Sequence, residues 1–194
     1  MLYSTGMNLE KIKQHLENIE PFHIQEGIMQ RGIGDVLENT IQTILGLHYP
    51  VIGASSKRSI EDFEIHEGED IYKFDVKTHN VNAKFSMPNL ISVKRLKKYL
   101  GQDTNHLVYV FVDYHLNDSL LTIDKIFVFR VEQLDWSCLH IGNLGKGQLQ
   151  IKQAGNFTIN DSYDRQEWVT TLTHTMKAFY YSLIESVKKE IDML

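Results

Sequence analysis

The chain has 194 residues, of which 42% are hydrophobic and 23% charged, with a net charge of −5. That length and balance suit one globular domain spanning 1–194 with a sizeable core, and they exclude a disordered or fibrous chain. An acidic balance also fits poorly with a general nucleic-acid coat protein. Charge is unevenly spread, however. Lys94, Arg95, Lys97 and Lys98 cluster together, with Lys73, Lys77 and Lys84 nearby, whereas acidic residues dominate 61–70 and 185–192. A local basic groove on an acidic body suits site-specific binding that needs a metal. Cys138 is the only cysteine, so no internal disulfide is possible and a cytoplasmic location is expected. The first six residues lack the charged and apolar regions of a signal peptide. No apolar run approaches the roughly 20 residues of a membrane span, so no membrane partner is expected.

Leu9, Ile12, Leu16 and Ile19 recur at helical spacing behind Asn8, a fair N-cap, and predict a first helix over 8–20 that stops at Pro21. Asp35-Val36-Leu37-Glu38 has the form of a capping box opening a second helix through Leu47. Its core face would carry Val36, Leu37, Ile41, Ile44 and Leu45.

Asp62-Phe63-Glu64-Ile65-His66 alternates polar and apolar residues, and so does Ile71 to Thr78, with Glu67-Gly68-Glu69-Asp70 between them as a turn. In a β-hairpin that pairs His66 with Ile71, Asp62 falls opposite Asp75. One face then carries Asp62, Glu64, Lys73, Asp75 and Lys77, and the other Phe63, Ile65, Tyr72, Phe74 and Val76. Opposed side chains stand about 5 Å apart at Cβ, where like charges are destabilising. A divalent cation between the carboxylates removes that penalty, and magnesium takes oxygen ligands while keeping water in its remaining positions. The competing reading is a solvated acidic strand with an interspersed lysine.

A loop rich in Asn, Ser and Pro comes next, then a third helix near 89–100 with Pro88 at its first position. His106 to Tyr114 and Ile126 to Val131 read as strands separated by an Asn117-Asp118 turn, and 148–152 as another. Asp164 to Glu167 is a second capping box. It opens a long helix with Trp168, Leu172, Met176, Phe179, Leu183, Val187 and Ile191 on one side. A mixed sheet with flanking helices follows, so the class is α/β. Gly142-Asn143-Leu144-Gly145-Lys146-Gly147 lacks the G-x-x-x-x-G-K-[ST] pattern and reads as a turn. The nine histidines show no zinc spacing, and no serine or cysteine nucleophile pairing is visible.

Asp75-Val76-Lys77-Thr78-His79-Asn80, followed by Ser86-Met87-Pro88-Asn89-Leu90-Ile91-Ser92 and a basic helix, resembles the active-site and recognition segment of the HincII-type restriction endonucleases, within the PD-(D/E)xK nuclease superfamily. The Asp62–Asp75 interval and the Asp164-Arg165-Gln166-Glu167-Trp168 run resemble that family too. The likeness is strongest across 60–95. It implies a restriction-endonuclease-like mixed central sheet flanked by helices, with a long C-terminal helix. It also implies a homodimeric type II enzyme that cuts a short palindromic site in double-stranded DNA with Mg2+, and a cognate methyltransferase acting on the same site.

The resemblance makes Asp62, Asp75 and the backbone carbonyl of Val76 the metal ligands. It sets Lys77 beside the attacking water, where it would stabilise charge developing on the phosphate. A helix ahead of the hairpin often supplies an acidic residue in this superfamily; Glu38 occupies that place, and its capping role explains it equally well. DNA contact is implied for Asn80, Lys84, Ser86, Met87 and Asn89, with Ser92, Lys94 and Lys97 following. Asn89 sits where the family reads bases. Ser86 stands where the type member has a glutamine wedged into the DNA stack, which leaves Met87 as wedge or as an ordinary core contact. His140 and Asn143 lie in a second base-reading segment, where Gly142 replaces an expected asparagine. Two other readings remain open: a non-cleaving DNA-binding protein on the same fold, and a structure-specific repair or junction nuclease.

Overall fold

In a computed structural model of the chain, residues 6–25, 27, 30–54, 56, 59–83, 89–153 and 156–193 are described. The elements in chain order are α1 (Leu9–Leu16), β1 (Phe22–His23), α2 (Gln30–Gly46), β2 (Val51–Gly53), β3 (Phe63–Glu67), β4 (Asp70–Asn80) and β5 (Asn89–Ser92). Then come α3 (Val93–Tyr99), β6 (Asn105–Asn117), β7 (Leu120–Arg130), β8 (Leu139–Gly142), β9 (Gln148–Ile151) and α4 (Arg165–Asp192). They form two compact units, Met1–Ser86 with Asp103–Val131, and Met87–Gln102 with Glu132–Leu194.

The first unit is built on a six-stranded sheet in the order β1-β7-β6-β4-β3-β2. Only β4 and β6 run parallel; every other neighbouring pair is antiparallel. A parallel pair needs a long crossover, and here the chain between β4 and β6 contains the whole first segment of the second unit. The β3–β4 hairpin has the predicted register, His66 opposite Ile71 and Phe63 opposite Phe74. Its two-residue loop begins at Gly68, whose φ of 62° is a conformation that only glycine adopts cheaply in a hairpin turn. The β6–β7 turn has Asp118 at φ 53°, a left-handed position that aspartate tolerates better than most residues.

Helices α1 and α2 bury Ile12, Leu16, Ile33, Leu37, Ile41 and Leu45 against Phe63, Ile65, Tyr72, Phe74, Val108, Val110 and Val112. Side chains alternate across a strand, so this core takes the even positions of β4 and leaves Lys73, Asp75, Lys77 and His79 on the opposite face. Two helix boundaries differ from those predicted. α1 ends at Leu16, four residues early. α2 begins at Gln30, so Asp35 lies inside the helix and caps nothing. Gly32 and Gly34 lower helix propensity and hide that earlier start, but burial of Ile33 overrides the cost.

The second unit carries the sheet β5-β9-β8 with α3 and α4. Asn89–Ser92 is a strand rather than the first turn of a helix, because it pairs with β9 and buries Leu90 and Ile91; α3 starts only at Val93. Pro88, predicted as that helix's first residue, lies outside the described residues. Residues 143–147 link β8 to β9 as a turn, with Gly145 and Gly147 at positive φ. α4 opens as predicted, the Glu167 N–H donating to Asp164 Oδ1 at 2.8 Å. Trp168 and Leu172 are buried, and the Trp168 indole donates to the Leu134 carbonyl at 2.8 Å. Farther along, Leu183, Val187 and Ile191 are 39%, 45% and 62% exposed, so the predicted one-sided burial stops halfway down the helix. Among the described residues no helix is long and apolar enough to cross a membrane. Asp164→Ala should lower stability by about 1 kcal/mol, the usual cost of a lost N-cap, read as a shifted urea midpoint.

Candidate active site

Asp75 sits in the middle of β4, between β3 and β6, and is only 6% exposed. Asp62 lies just before β3, where the hairpin ladder ends: its N–H donates to the Phe74 carbonyl at 2.8 Å, and its Oδ2 accepts the Val76 N–H at 2.7 Å. The bonds pin the Asp62 carboxylate over β4 beside Asp75. Lys77, two residues along on the same face, reaches back to Asp75 Oδ1 at 2.5 Å. Upstream, buried Glu61 and half-buried Glu64 both hold the Lys73 ammonium at 2.9 Å, which straps the approach to Asp62 down against β4.

Electrostatics follow from this crowding. Burial foremost, and the Asp62 charge after it, raise Asp75 to about 7 against the opposing pull of Lys77. Burial also raises Asp62, although the Val76 N–H and Lys77 act the other way. Glu38, on α2, is raised by burial and then by the charges of Asp62 and Asp35, with Lys77 opposing. Its capping explanation disappears with the earlier start of α2, and it stands within electrostatic reach of Asp62 and Lys77. Tyr109 was missed by sequence reasoning. It pairs with Asp75 across β4 and β6, is fully buried, and its phenol oxygen has no hydrogen-bond partner among the described residues. Beyond Lys77 on the same face, His79 Nδ1 and Asp113 Oδ1 are paired at 3.0 Å.

Among the described residues, no group of three or more His, Cys, Asp or Glu side chains is placed to hold a metal. The donors on hand are two adjoining carboxylates and the backbone of Val76, with an unpartnered buried hydroxyl beside them. That set suits a small hard cation that keeps several waters, and magnesium is commonly bound through one or two carboxylates. Two adjoining carboxyls are also an arrangement that gains from a cation between them.

The remaining predicted residues separate. Asn80 ends β4 and its Oδ1 accepts the Asn82 N–H at 3.0 Å, an Asx turn. Lys84, Ser86 and Met87 lie outside the described residues. In the second unit, Asn89 opens β5 and is exposed, and Ser92 precedes α3 without a side-chain capping bond. Lys94 is exposed, whereas Lys97 donates to Thr173 Oγ1 at 2.5 Å and is half-buried. His140 is half-buried on β8, and Asn143 is exposed just after it.

The chain is similar in structure to the NlaIV restriction endonuclease, with a TM-score of 0.59 over 96% of this chain and 90% of that one, at 11% identity. No protein-family model matches the chain, and no curated protein matches it. The fold is therefore that of a restriction endonuclease, a mixed α/β sheet with flanking helices and a long C-terminal helix.

A carboxyl that holds its proton more tightly folded than unfolded contributes stability that is complete below its ordinary value of 3.8. That contribution is lost as pH rises to about 7. In chelator, Asp75→Asn should therefore gain on the wild type between pH 5 and pH 8, by a few kcal/mol at most. Urea unfolding of both proteins at the two pH values measures it; an unchanging gap would show that Asp75 ionises normally.

Proposed function

We propose that the protein is a type II restriction endonuclease that hydrolyses phosphodiester bonds at a short palindromic site in double-stranded DNA. The observation that carries this reading is the convergence of Asp62, Asp75 and Lys77 on one face of a hairpin in a restriction-endonuclease fold. A protein that only binds DNA has no use for a buried and a half-buried carboxylate facing a polyanion.

Asp62, Asp75 and the Val76 carbonyl would hold magnesium. Bound there, it supplies Lewis-acid polarisation of the phosphoryl group and a more acidic water. The chain's own residues do the rest. Lys77 gives up Asp75 and turns its ammonium to the attacking water and the phosphate oxygens, where negative charge grows in the transition state. Asp62 keeps its orientation through the Val76 N–H, and so remains placed while Lys77 moves. Glu38, whose carboxylate burial makes more basic than an ordinary glutamate's, would when ionised accept a proton from that water. A two-fold DNA site calls for a two-fold protein, so the working form is a homodimer with one such site for each strand. A methyltransferase of matching specificity would protect the host DNA.

Asp75→Ala and Lys77→Ala should each abolish cleavage of plasmid DNA in magnesium while the circular-dichroism spectrum is retained. A variant that cuts at near-normal rates ends the assignment. Calcium should strengthen binding to the specific duplex without efficient cutting, because Asp62 and Asp75 otherwise repel the scissile phosphate. Equal affinity in calcium and in chelator, at fixed ionic strength, would count against the site.

A further inference from the structure

Asn89, on which base reading was expected, is not alone. In the β5-β9-β8 sheet it lies opposite Gln150, which in turn lies opposite His140. The Gln150 Nε2 donates to Asn89 Oδ1, tying the two amides side by side. Gly142, on the far side of β9, is what makes room: a Cβ there would collide with Gln150 Oε1 and Cδ. The glycine that replaces an expected asparagine thus lets a glutamine lie across the sheet and meet Asn89. An exposed amide–amide bond adds little net stability, since water competes for both groups, so stability alone does not account for the arrangement.

The chemistry of a paired amide is restrictive. When one amide donates to another, one amino group and one carbonyl are left over, and this holds equally if both amides are flipped together. The pair therefore presents a donor beside an acceptor. In the major groove, adenine presents the complement, an N7 acceptor and an N6 donor, whereas guanine presents two acceptors. Among the described residues neither Asn89 Nδ2 nor Gln150 Oε1 has another partner.

Resting on the restriction-endonuclease reading, we propose that Asn89 and Gln150 act as one unit that reads an adenine edge in each half-site, with Gly142 kept free of a side chain to allow it. Gln150 is thereby a specificity-determining residue.

The test uses the intact protein and the cleavage site identified by sequencing fragment ends. Binding is measured in calcium for the wild type, Asn89→Ala, Gln150→Ala, Gln150→Glu and Gly142→Ala. The duplexes carry each single base-pair change, or 7-deazaadenine at each adenine, which removes N7. The wild type should lose roughly 5- to 150-fold at one symmetric A·T pair, the range for a bidentate base contact. All four variants should lose discrimination at that same pair, and 7-deazaadenine there should no longer matter to them. Gly142→Ala changes neither amide and only displaces Gln150, so its loss cannot come from a missing side chain. The inference is overturned if Gln150→Ala, Gln150→Glu and Gly142→Ala all discriminate like the wild type while Asn89→Ala does not. It is overturned equally if the lost pair is G·C. If the wild type shows neither cleavage nor site preference, the restriction reading itself has failed, a result told apart by Asn89→Ala being silent as well.

Discussion

The burial of Asp75 beside Asp62 is the constraint from which the local design follows. A carboxylate at the centre of a sheet loses most of its hydration, and a second one nearby compounds the cost. The structure answers with the Lys77 ammonium on Asp75 and the Val76 N–H on Asp62. Neither interaction is enough to restore ordinary acidity, since both carboxyls remain raised. The cost of this crowding falls on the resting fold. On the proposed function, a cation between the two carboxyls would relieve it, and Lys77 would then be free to leave Asp75.

The acidic character of the whole chain becomes intelligible in this light. A strongly basic surface would bind DNA everywhere, through counterion release that is blind to sequence. On the proposed function, the acidic hairpin would hold phosphates off until its charge is neutralised. Lys97 is partly withdrawn by Thr173, which leaves Lys94 as the more accessible cation of that pair. A weak general attraction would then make base contacts count for a larger share of the total, which would favour discrimination over affinity.

Much of this was legible in the sequence, and most of the parts that were not share one physical cause. The hairpin register could be read because alternation has a period of two and Gly68 fixed the turn. The α4 cap could be read because Asp164 and Glu167 are neighbours in sequence. Most of the failures are long-range; the early end of α1 at Leu16 is an exception. The start of α2 was set by burial of Ile33 against the sheet, not by local propensity across Gly32 and Gly34. Asn89 was placed on a helix because its partner strand lies some sixty residues away. Tyr109 could not be set beside Asp75 without knowing that β4 and β6 run parallel, or in which register. Local chemistry announces itself in a single sequence; pairing partners do not.

Structural likeness at 11% identity carries the fold and no residue roles, so the roles have to stand on this chain's own geometry. They divide by the kind of backbone that holds them. Asp75 and Lys77 sit on a strand paired with β6 along one edge, while Asp62 bonds the Phe74 carbonyl and the Val76 N–H beyond the end of the β3 ladder on the other. Asn89 and Gln150 sit on a three-stranded sheet, one of them on an edge strand, and hold each other through flexible side chains. On the proposed function, chemistry common to every phosphodiester would sit on the more rigid element. Recognition, which has to differ from one DNA site to the next, would sit where a glycine such as Gly142 and a single amide can be exchanged without disturbing β4.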